Sequence, residues 1–414
     1  MMTYDEIKKI ESIADSPFYL FDKEAFTDNF DNITKAFGAR YEKFIIGYSF
    51  KTNYIPYLCN IIRKKGGFAE VVSRLEYDLA LKIGFDPKNI IFNGPVKYYE
   101  DIHVSLDNQS IVNLDSWPEV DHVNKYAAGH PDKLVEVGIR INIDLSDSSG
   151  TSRVHGSIKV GRFGFSAEKQ QIKKLIQSLN PNVRIVGLHG HTTSIDRSVW
   201  CYEKITETLC DVAGKYWPDT VRHINIGGGI YGYIPPEYRW GETPSFDDYA
   251  ESVCDILKAD EWVNKRKPSL VLEPGIAMAA NTMSFVTKVV SVKNIRGKVF
   301  VTVDGSAFNT KPTFHGHNMP HEIVKSDDTD QTEMYSVVGS TCMEKDVMLT
   351  EITNKKLQRD DYIQFDNVGA YTNVFTPPFI NVAPAVVVKE NKDYKLIRKR
   401  QDPENMFEDY LFED

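Results

Sequence analysis

The chain has 414 residues, 42% of them hydrophobic and 26% charged, with a formal net charge of -9. That length can bury a large core and predicts two or three domains, and the acidic balance excludes nucleic-acid binding as the main purpose. No run of 18 or more apolar residues occurs, which excludes a membrane-spanning helix, and the mixed-charge opening MMTYDEIKKI does not read as a secretory leader.

In chain order, residues 1–40 carry a strand pattern, PFYLFD, and then a helical one, EAFTDNFDNITKAFG. This segment is expected to complete a β domain formed elsewhere. From residue 41 to 285, eight β-rich runs alternate with helix-length segments: FIIGYSF, GGFAEVVS, NIIFNG, SIVNLDS, VEVGIRIN, IVGLHGH, HINIGGG and LVLEPG. The segments between them include amphipathic stretches such as AEKQQIKKLIQSL and SFDDYAESVCDILKAD. Eight strands alternating with helices predict an α/β unit, a (β/α)8 barrel of the TIM type. An open doubly wound sheet is the alternative, but no GxGxxG follows the first strand. The Gly/Ser-rich stretch 144–166 after the fifth strand is long enough for a functional loop or lid. From 286 to 414 the texture becomes β-rich with short turns (VTKVVSVKNI, KVFVTVDGS, MYSVVGST, VMLTEIT, DYIQFDNVGAY, APAVVVKE), which predicts an all-β C-terminal domain.

The five cysteines (Cys59, Cys201, Cys210, Cys254, Cys342) show no CxxC or metal-finger spacing. They are expected to be reduced thiols of a cytoplasmic protein. Cys59 and Cys254 fall in helical patterns and read as core residues.

In FIIGYSFK, alternation puts Phe44, Ile46, Tyr48 and Phe50 on one face and Ile45, Gly47, Ser49 and Lys51 on the other. A small-residue face ending in an amine fits a strand that opens into a barrel mouth. The other strands also end in polar residues: Glu70 with Ser73, Asn93, Asp115, Arg140 with Asn142, His189 with His191, Gly227 to Gly229, and Glu273. Barrels build their active sites at this end, and structural demand alone would spread polar groups over both ends.

NIGGGIYG supplies three glycines whose amides can approach an anion, although glycine triplets also make plain turns. LVLEPGIA sets Glu273 at the end of strand eight, where a carboxylate is costly unless used. GLHGHTTS places His189 and His191 two apart, a spacing found in metal sites, but the other strand ends offer mainly glycine, lysine and one Glu. No metal is expected. An anion cradle, a carboxylate, an imidazole able to stack and a strand-end lysine together suit pyridoxal 5'-phosphate. Lysine holds that cofactor as a Schiff base, and an acidic partner keeps its pyridine nitrogen protonated.

These motifs, in this order, resemble the fold-type III pyridoxal-phosphate-dependent decarboxylases, the group of diaminopimelate and ornithine decarboxylases, and in layout the former most. The resemblance runs from SPFYLFD to APAVVVKE. It implies that Lys51 of YSFKTN carries the cofactor, that His191 stacks on the pyridine face, and that Ser194 contacts phosphate. Gly227, Gly228 and Gly229 would form the phosphate loop, and Glu273, followed by Pro274 and Gly275, would face the pyridine nitrogen. In VVGSTCMEKD it implies that Cys342 protonates the α-carbon, reaching into the partner's site of a homodimer with shared active sites. In NVGAYT it implies that Tyr371 touches the phosphate. Inert readings of Cys342 as a buried thiol and Tyr371 as a core aromatic stand beside these.

The sequence departs from that family where substrate is read. Ile276 stands where arginine usually follows Glu-Pro-Gly, and Met343, with Glu344 next, stands where an acid usually follows the cysteine. Lys311 and His315 of KPTFH stand where diaminopimelate decarboxylases carry Arg-Pro and a tyrosine. Lysine keeps the charge but loses the bidentate fork. The resemblance therefore implies an amino-acid decarboxylase with an altered distal-group pocket, in amino-acid metabolism. An amino-acid racemase on the same cofactor and a catalytically silent homologue acting as a regulator are the alternatives.

Overall fold

The computed structural model describes residues 2–155, 158–194, 196–239, 241, 243–327, 330–375, 378–391 and 393–412. The chain divides into two units, one comprising 29–232 and 241–277, the other 1–28, 233–240 and 278–414.

In the first unit the eight anticipated strands are present: β1 (Phe44–Ser49), β2 (Phe68–Val71), β3 (Ile90–Phe92), β4 (Ile111–Leu114), β5 (Val135–Asn142), β6 (Val183–His189), β7 (His223–Asn225) and β8 (Ser269–Leu272). Each pairs in parallel with its neighbours, and β8 returns to β1 through Leu270–Phe44 to Leu272–Ile46, closing the barrel. A helix follows each of the first seven strands, as parallel pairing requires. These helices start and stop where the sequence signals it. Ser73 accepts the amide of Glu76 and caps Arg74–Ile83, which ends at Gly84 with φ of +95°. Ser245 and Asp248 form a capping box on Phe246–Ala259, whose buried face is Tyr249, Ala250, Val253, Cys254 and Leu257. Ser73, one of the polar strand-end residues, is thus a structural cap.

The other unit is a mixed nine-stranded sheet. Its long central strand, Met283–Ile295, pairs with Lys298–Val303, Tyr362–Phe365 and the N-terminal strand Phe18–Asp22, which runs parallel to Ala385–Glu390. The helix Tyr4–Ala14 buries Ile7 and Ile10 against Phe18, Leu20, Val286, Tyr362 and Val387. Two further strands, His321–Val324 and Asp393–Arg398, are too short or too polar to stand out in the sequence.

Candidate active site

Because side chains alternate, one residue in two of each barrel strand points inward, and at the C-terminal ends these are the polar ones. A Cβ on Gly47 would lie 3.0 Å from Ile91 Cδ1, 3.7 Å from Glu70 and 3.8 Å from Glu273, so this position faces the two carboxylates. Ser49, one step further, donates to Glu70 Oε2 at 2.5 Å. Strand β1 ends at Ser49, and Lys51 sits on the 3-10 turn Phe50–Thr52, so the lysine follows the strand instead of belonging to it. Its Nζ lies 2.5 Å from Glu70 Oε2 and 3.2 Å from Ser49 Oγ. Glu70 is buried, whereas the Lys51 side chain is 34% exposed.

Glu273 follows β8 and is buried. Its Oε1 accepts from Asn93 Nδ2 at 2.7 Å and Asn225 Nδ2 at 2.6 Å, and His189 Nε2 lies 3.3 Å from Oε2. Burial pushes this carboxyl up, but His189, Lys51 and the Asn225 amide together hold it well below the usual carboxylate range. Asn93 also donates to Glu70 Oε1 at 3.0 Å and accepts from Asn113 at 2.8 Å. One amide therefore links the two carboxylates.

The two histidines separate. His189 closes β6 and faces Glu273, whereas His191 lies past the strand end against the glycine turn. A Cβ on Gly227 (φ +70°) would come 2.5 Å from the His191 Cβ, and Gly228 N–H donates to His191 Nδ1 at 3.3 Å. Arg140 Nη2 holds the His191 carbonyl at 2.6 Å, and Nη1 lies 3.4 Å from Asp115. Burial first, then the nearby charges of Arg140 and Lys51, push the His191 imidazole down to about 3, so it is neutral at physiological pH. Gly228 is packed so closely that a Cβ would sit 1.9 Å from the Glu273 carbonyl oxygen, and a Cβ on Gly275 would lie 2.0 Å from Thr52 Oγ1. Ser194 is buried and accepts the Arg197 amide at 2.9 Å.

The 144–166 loop is tied down from both sides. Asn142 Nδ2 donates to the carbonyls of Gly161 at 2.7 Å and Phe163 at 2.6 Å. Val154 bridges to Ser194, and Arg153 pairs with Asp196 at 2.9 Å. The part of the anticipated lid at 156–157 lies outside the described residues.

The remaining candidates belong to the second unit. Cys342 is exposed, while the other four cysteines are buried. Met343 is half-buried and Glu344 exposed. Lys311 is buried, donates to the His317 carbonyl at 3.4 Å, and is pushed down by burial. His315 is lowered by burial and by Lys311. Tyr371 has φ of +59° and stacks on Phe375 with centroids 5.6 Å apart. Two residues before it, Gly369 is packed so closely that a Cβ would lie 1.8 Å from the Ala279 carbonyl oxygen.

Lys51, Glu273, the glycine turn and His191 thus follow β1, β8, β7 and β6, four consecutive neighbours of the barrel. Residues 24–280 match the family described as pyridoxal-dependent decarboxylase, pyridoxal binding domain. The chain belongs to this family. It is a pyridoxal-phosphate-dependent carboxy-lyase. It is 26% identical to diaminopimelate decarboxylase of Aquifex aeolicus, over 98% of this chain and 94% of that protein. It is 29% identical to a probable chloroplastic diaminopimelate decarboxylase of Oryza sativa, over 80% of this chain and 66% of that protein. Among solved structures, diaminopimelate decarboxylase from M. jannaschii in complex with L-lysine superposes with a TM-score of 0.87 at 23% identity, covering 98% of this chain and 94% of that one. Among the described residues no helix is long and apolar enough to cross a membrane.

The residues present fit the cofactor. A primary amine stands beside a carboxylate that can take its proton, and a second, buried carboxylate is held ionised one strand away. The neighbouring turn Gly227–Gly229 is stripped of side chains where Cβ atoms would collide with His191 and the Glu273 carbonyl. Inspection of the sequence left four members of this constellation without a role: Glu70, Asn93, Asn225 and Arg140. Glu70, Asn93 and Arg140 were visible as polar strand ends, but which carboxylate each amide serves depends on barrel closure. Asn225, inside HINIGGG, carried no separate signal.

Proposed function

We propose that this decarboxylase acts on an amino acid related to diaminopimelate, with a distal-group pocket altered from the one its relatives use. The observation that carries the reading is the contact of Lys51 Nζ with Glu70 Oε2, one barrel strand from the ionised Glu273. Pyridoxal phosphate, when bound, supplies the sink for the electron pair released as CO2 leaves. Lys51 Nζ is the amine that would hold it, and Glu70 Oε2 accepts the proton that Lys51 must lose to become a nucleophile. Glu273, held anionic, would pair with the pyridine nitrogen. The neutral His191 ring, with its backbone fixed by Arg140, would stack on the pyridine. The turn Gly227–Gly229, Ser194, Gly275 and Tyr371 would hold the phosphate. Cys342 Sγ delivers the proton that replaces CO2, from the partner subunit of a homodimer with shared sites. Lys311, His315, Met343 and Glu344 read the far end of the substrate.

The support for a diaminopimelate-like substrate is the run of relatives bearing that name, and the support for an altered pocket is Ile276, Lys311 and Met343. The test is CO2 release from a panel of L-, D- and meso-amino acids, including diaminopimelate, ornithine and lysine, with Lys51→Ala as the control. CO2 release from a diamino acid that is lost in Lys51→Ala is expected. Racemised product without CO2, or activity that survives the substitution, overturns the reading.

A further inference from the structure

The loop that carries Cys342 folds around a buried carboxylate, that of Asp346, which is 2% exposed. Asp346 Oδ2 accepts from Thr341 N at 3.1 Å and Thr341 Oγ1 at 2.7 Å, gripping the residue before the cysteine. Its other oxygen, Oδ1, accepts from Ser306 Oγ at 3.0 Å and the Ala307 amide at 2.7 Å. Those two residues start the short helix Ala307–Thr310, and Lys311 closes that turn by donating its amide to the Ala307 carbonyl at 2.8 Å. The backbone adds a hydrogen bond from Gly339 N to the Asp346 carbonyl at 2.9 Å, and Asp346 N returns to the Met343 carbonyl at 2.9 Å. Gly339 is glycine because a Cβ would lie 2.2 Å from Asp346 Oδ2.

Four charge-assisted hydrogen bonds to one buried carboxylate make a stiff joint, about twice the strength of neutral ones. The two arms of that joint run to different segments, one bearing Cys342 and the other Lys311. We propose that Asp346 is a positioning residue that sets the Cys342 thiol and the Lys311 turn in register with each other. The donor of the proton and the reader of the far end are then placed as one piece on the substrate. The inference rests on the proposed roles of Cys342 and Lys311. Asp346 itself touches no reacting atom.

Asp346→Asn tests it. The amide keeps one acceptor oxygen, but its NH2 cannot accept from the Thr341 amide, so one arm loosens while the side-chain volume is conserved. A misplacement of about 1 Å costs on the order of 10²-fold in rate. The holoenzyme variant is therefore expected to lose about 10- to 100-fold in kcat. Alkylation of Cys342, the one exposed thiol among the five, should speed up. Gly339→Ala, which displaces the carboxylate without removing its charge, should act in the same direction.

The deciding measurement is a double-mutant cycle with Cys342→Ala. If Asp346 acts through the thiol, Asp346→Asn adds no further loss of kcat once the thiol is gone. Equal losses in both backgrounds, or an unchanged alkylation rate, overturn the proposal. If Cys342→Ala alone leaves kcat intact, the assigned role of Cys342 has failed instead, and alkylation of Asp346→Asn still reports whether the joint holds the loop.

Discussion

Gly228→Ala isolates the geometry of the glycine turn from its charge. The added Cβ would stand 1.9 Å from the Glu273 carbonyl oxygen and 2.8 Å from its carbon. A carbon–oxygen contact needs about 3.3 Å, so the turn and the end of β8 must part by roughly 1.4 Å. The obstacle is backbone on both sides, and no rotamer change relieves it. The hydrogen bond from Glu273 N to the Gly227 carbonyl, 2.8 Å long, joins the same two segments and is lost as they separate. Overpacking of about 1–3 kcal/mol and a hydrogen bond worth about 1 kcal/mol give a total near 2–4 kcal/mol. Gly229→Ala is the internal comparison. There the nearest atoms are side-chain ones, Tyr202 Oη at 3.3 Å and His191 Cε1 at 3.7 Å, so the cost is confined to the left-handed backbone at φ +99°. That is about 1–2 kcal/mol. Titration of each apoenzyme with pyridoxal phosphate, followed by absorbance, should show Gly228→Ala weakened about 10²-fold and Gly229→Ala clearly less. Denaturant midpoints should rank the same way. A Gly228→Ala protein that binds cofactor like the parent, or a reversed ranking, refutes the reasoning.

Glu76 is buried, accepts the Val72 amide at 2.8 Å, and is pushed by burial from 4.5 to about 7. Its carboxyl keeps its proton in the fold after the unfolded chain has lost it, so its contribution is whole below pH 4.5 and is lost as pH rises through about 7. Glu76→Gln should therefore raise the denaturation midpoint at pH 8, by the equivalent of about 2–3 kcal/mol, and change it little at pH 4.5. Lys97 and Glu119 form a fully buried pair at 3.0 Å, and Glu119 also accepts the amides of Lys97 and Asp115. Lys97→Met should cost about 3–5 kcal/mol by stranding a charge, and adding Glu119→Gln should recover much of it, both read from denaturant titration. Asn142→Ala removes the two amide hydrogen bonds to the far end of the 144–166 loop, and limited trypsin digestion should then cut at Arg162 or Lys159 several-fold faster, with the barrel intact.

The barrel was legible in the sequence because each strand is a short apolar run between turn signals, and all eight runs became strands of one closed sheet. Lys51, Glu273 and the glycine triplet were legible for the same reason, since each ends such a run. What the sequence hid is pairwise. His189 and His191 look equivalent two residues apart, yet the strand ends between them, and one turns to a carboxylate while the other packs on Gly227. Ser73 looked like a site residue and is a helix cap, because the strand had already ended when it was reached. Asp346 carried no signal at all, as an aspartate in a loop is ordinary until its four donors are seen.

The charges at the barrel mouth pair unevenly, and the imbalance bears on the chemistry. Lys51 faces Glu70 and Arg140 faces Asp115, so two cations meet two carboxylates. Glu273 is a third carboxylate: the amides of Asn93 and Asn225 donate to Oε1, and His189 Nε2 lies 3.3 Å from Oε2. His191 adds no charge, because burial keeps its ring neutral. Amide donors stabilise an anion without cancelling it, and with His189 and Lys51 they keep Glu273 ionised in a pocket of low dielectric. A ring nitrogen brought against that carboxylate is favoured in its protonated form. Asn93, which donates to Glu273 and Glu70 alike, lies between the two carboxylates, so that in the proposed site Glu70 would serve Lys51 and Glu273 the ring. The division of labour between two acids of the same kind follows from which neighbour each was given.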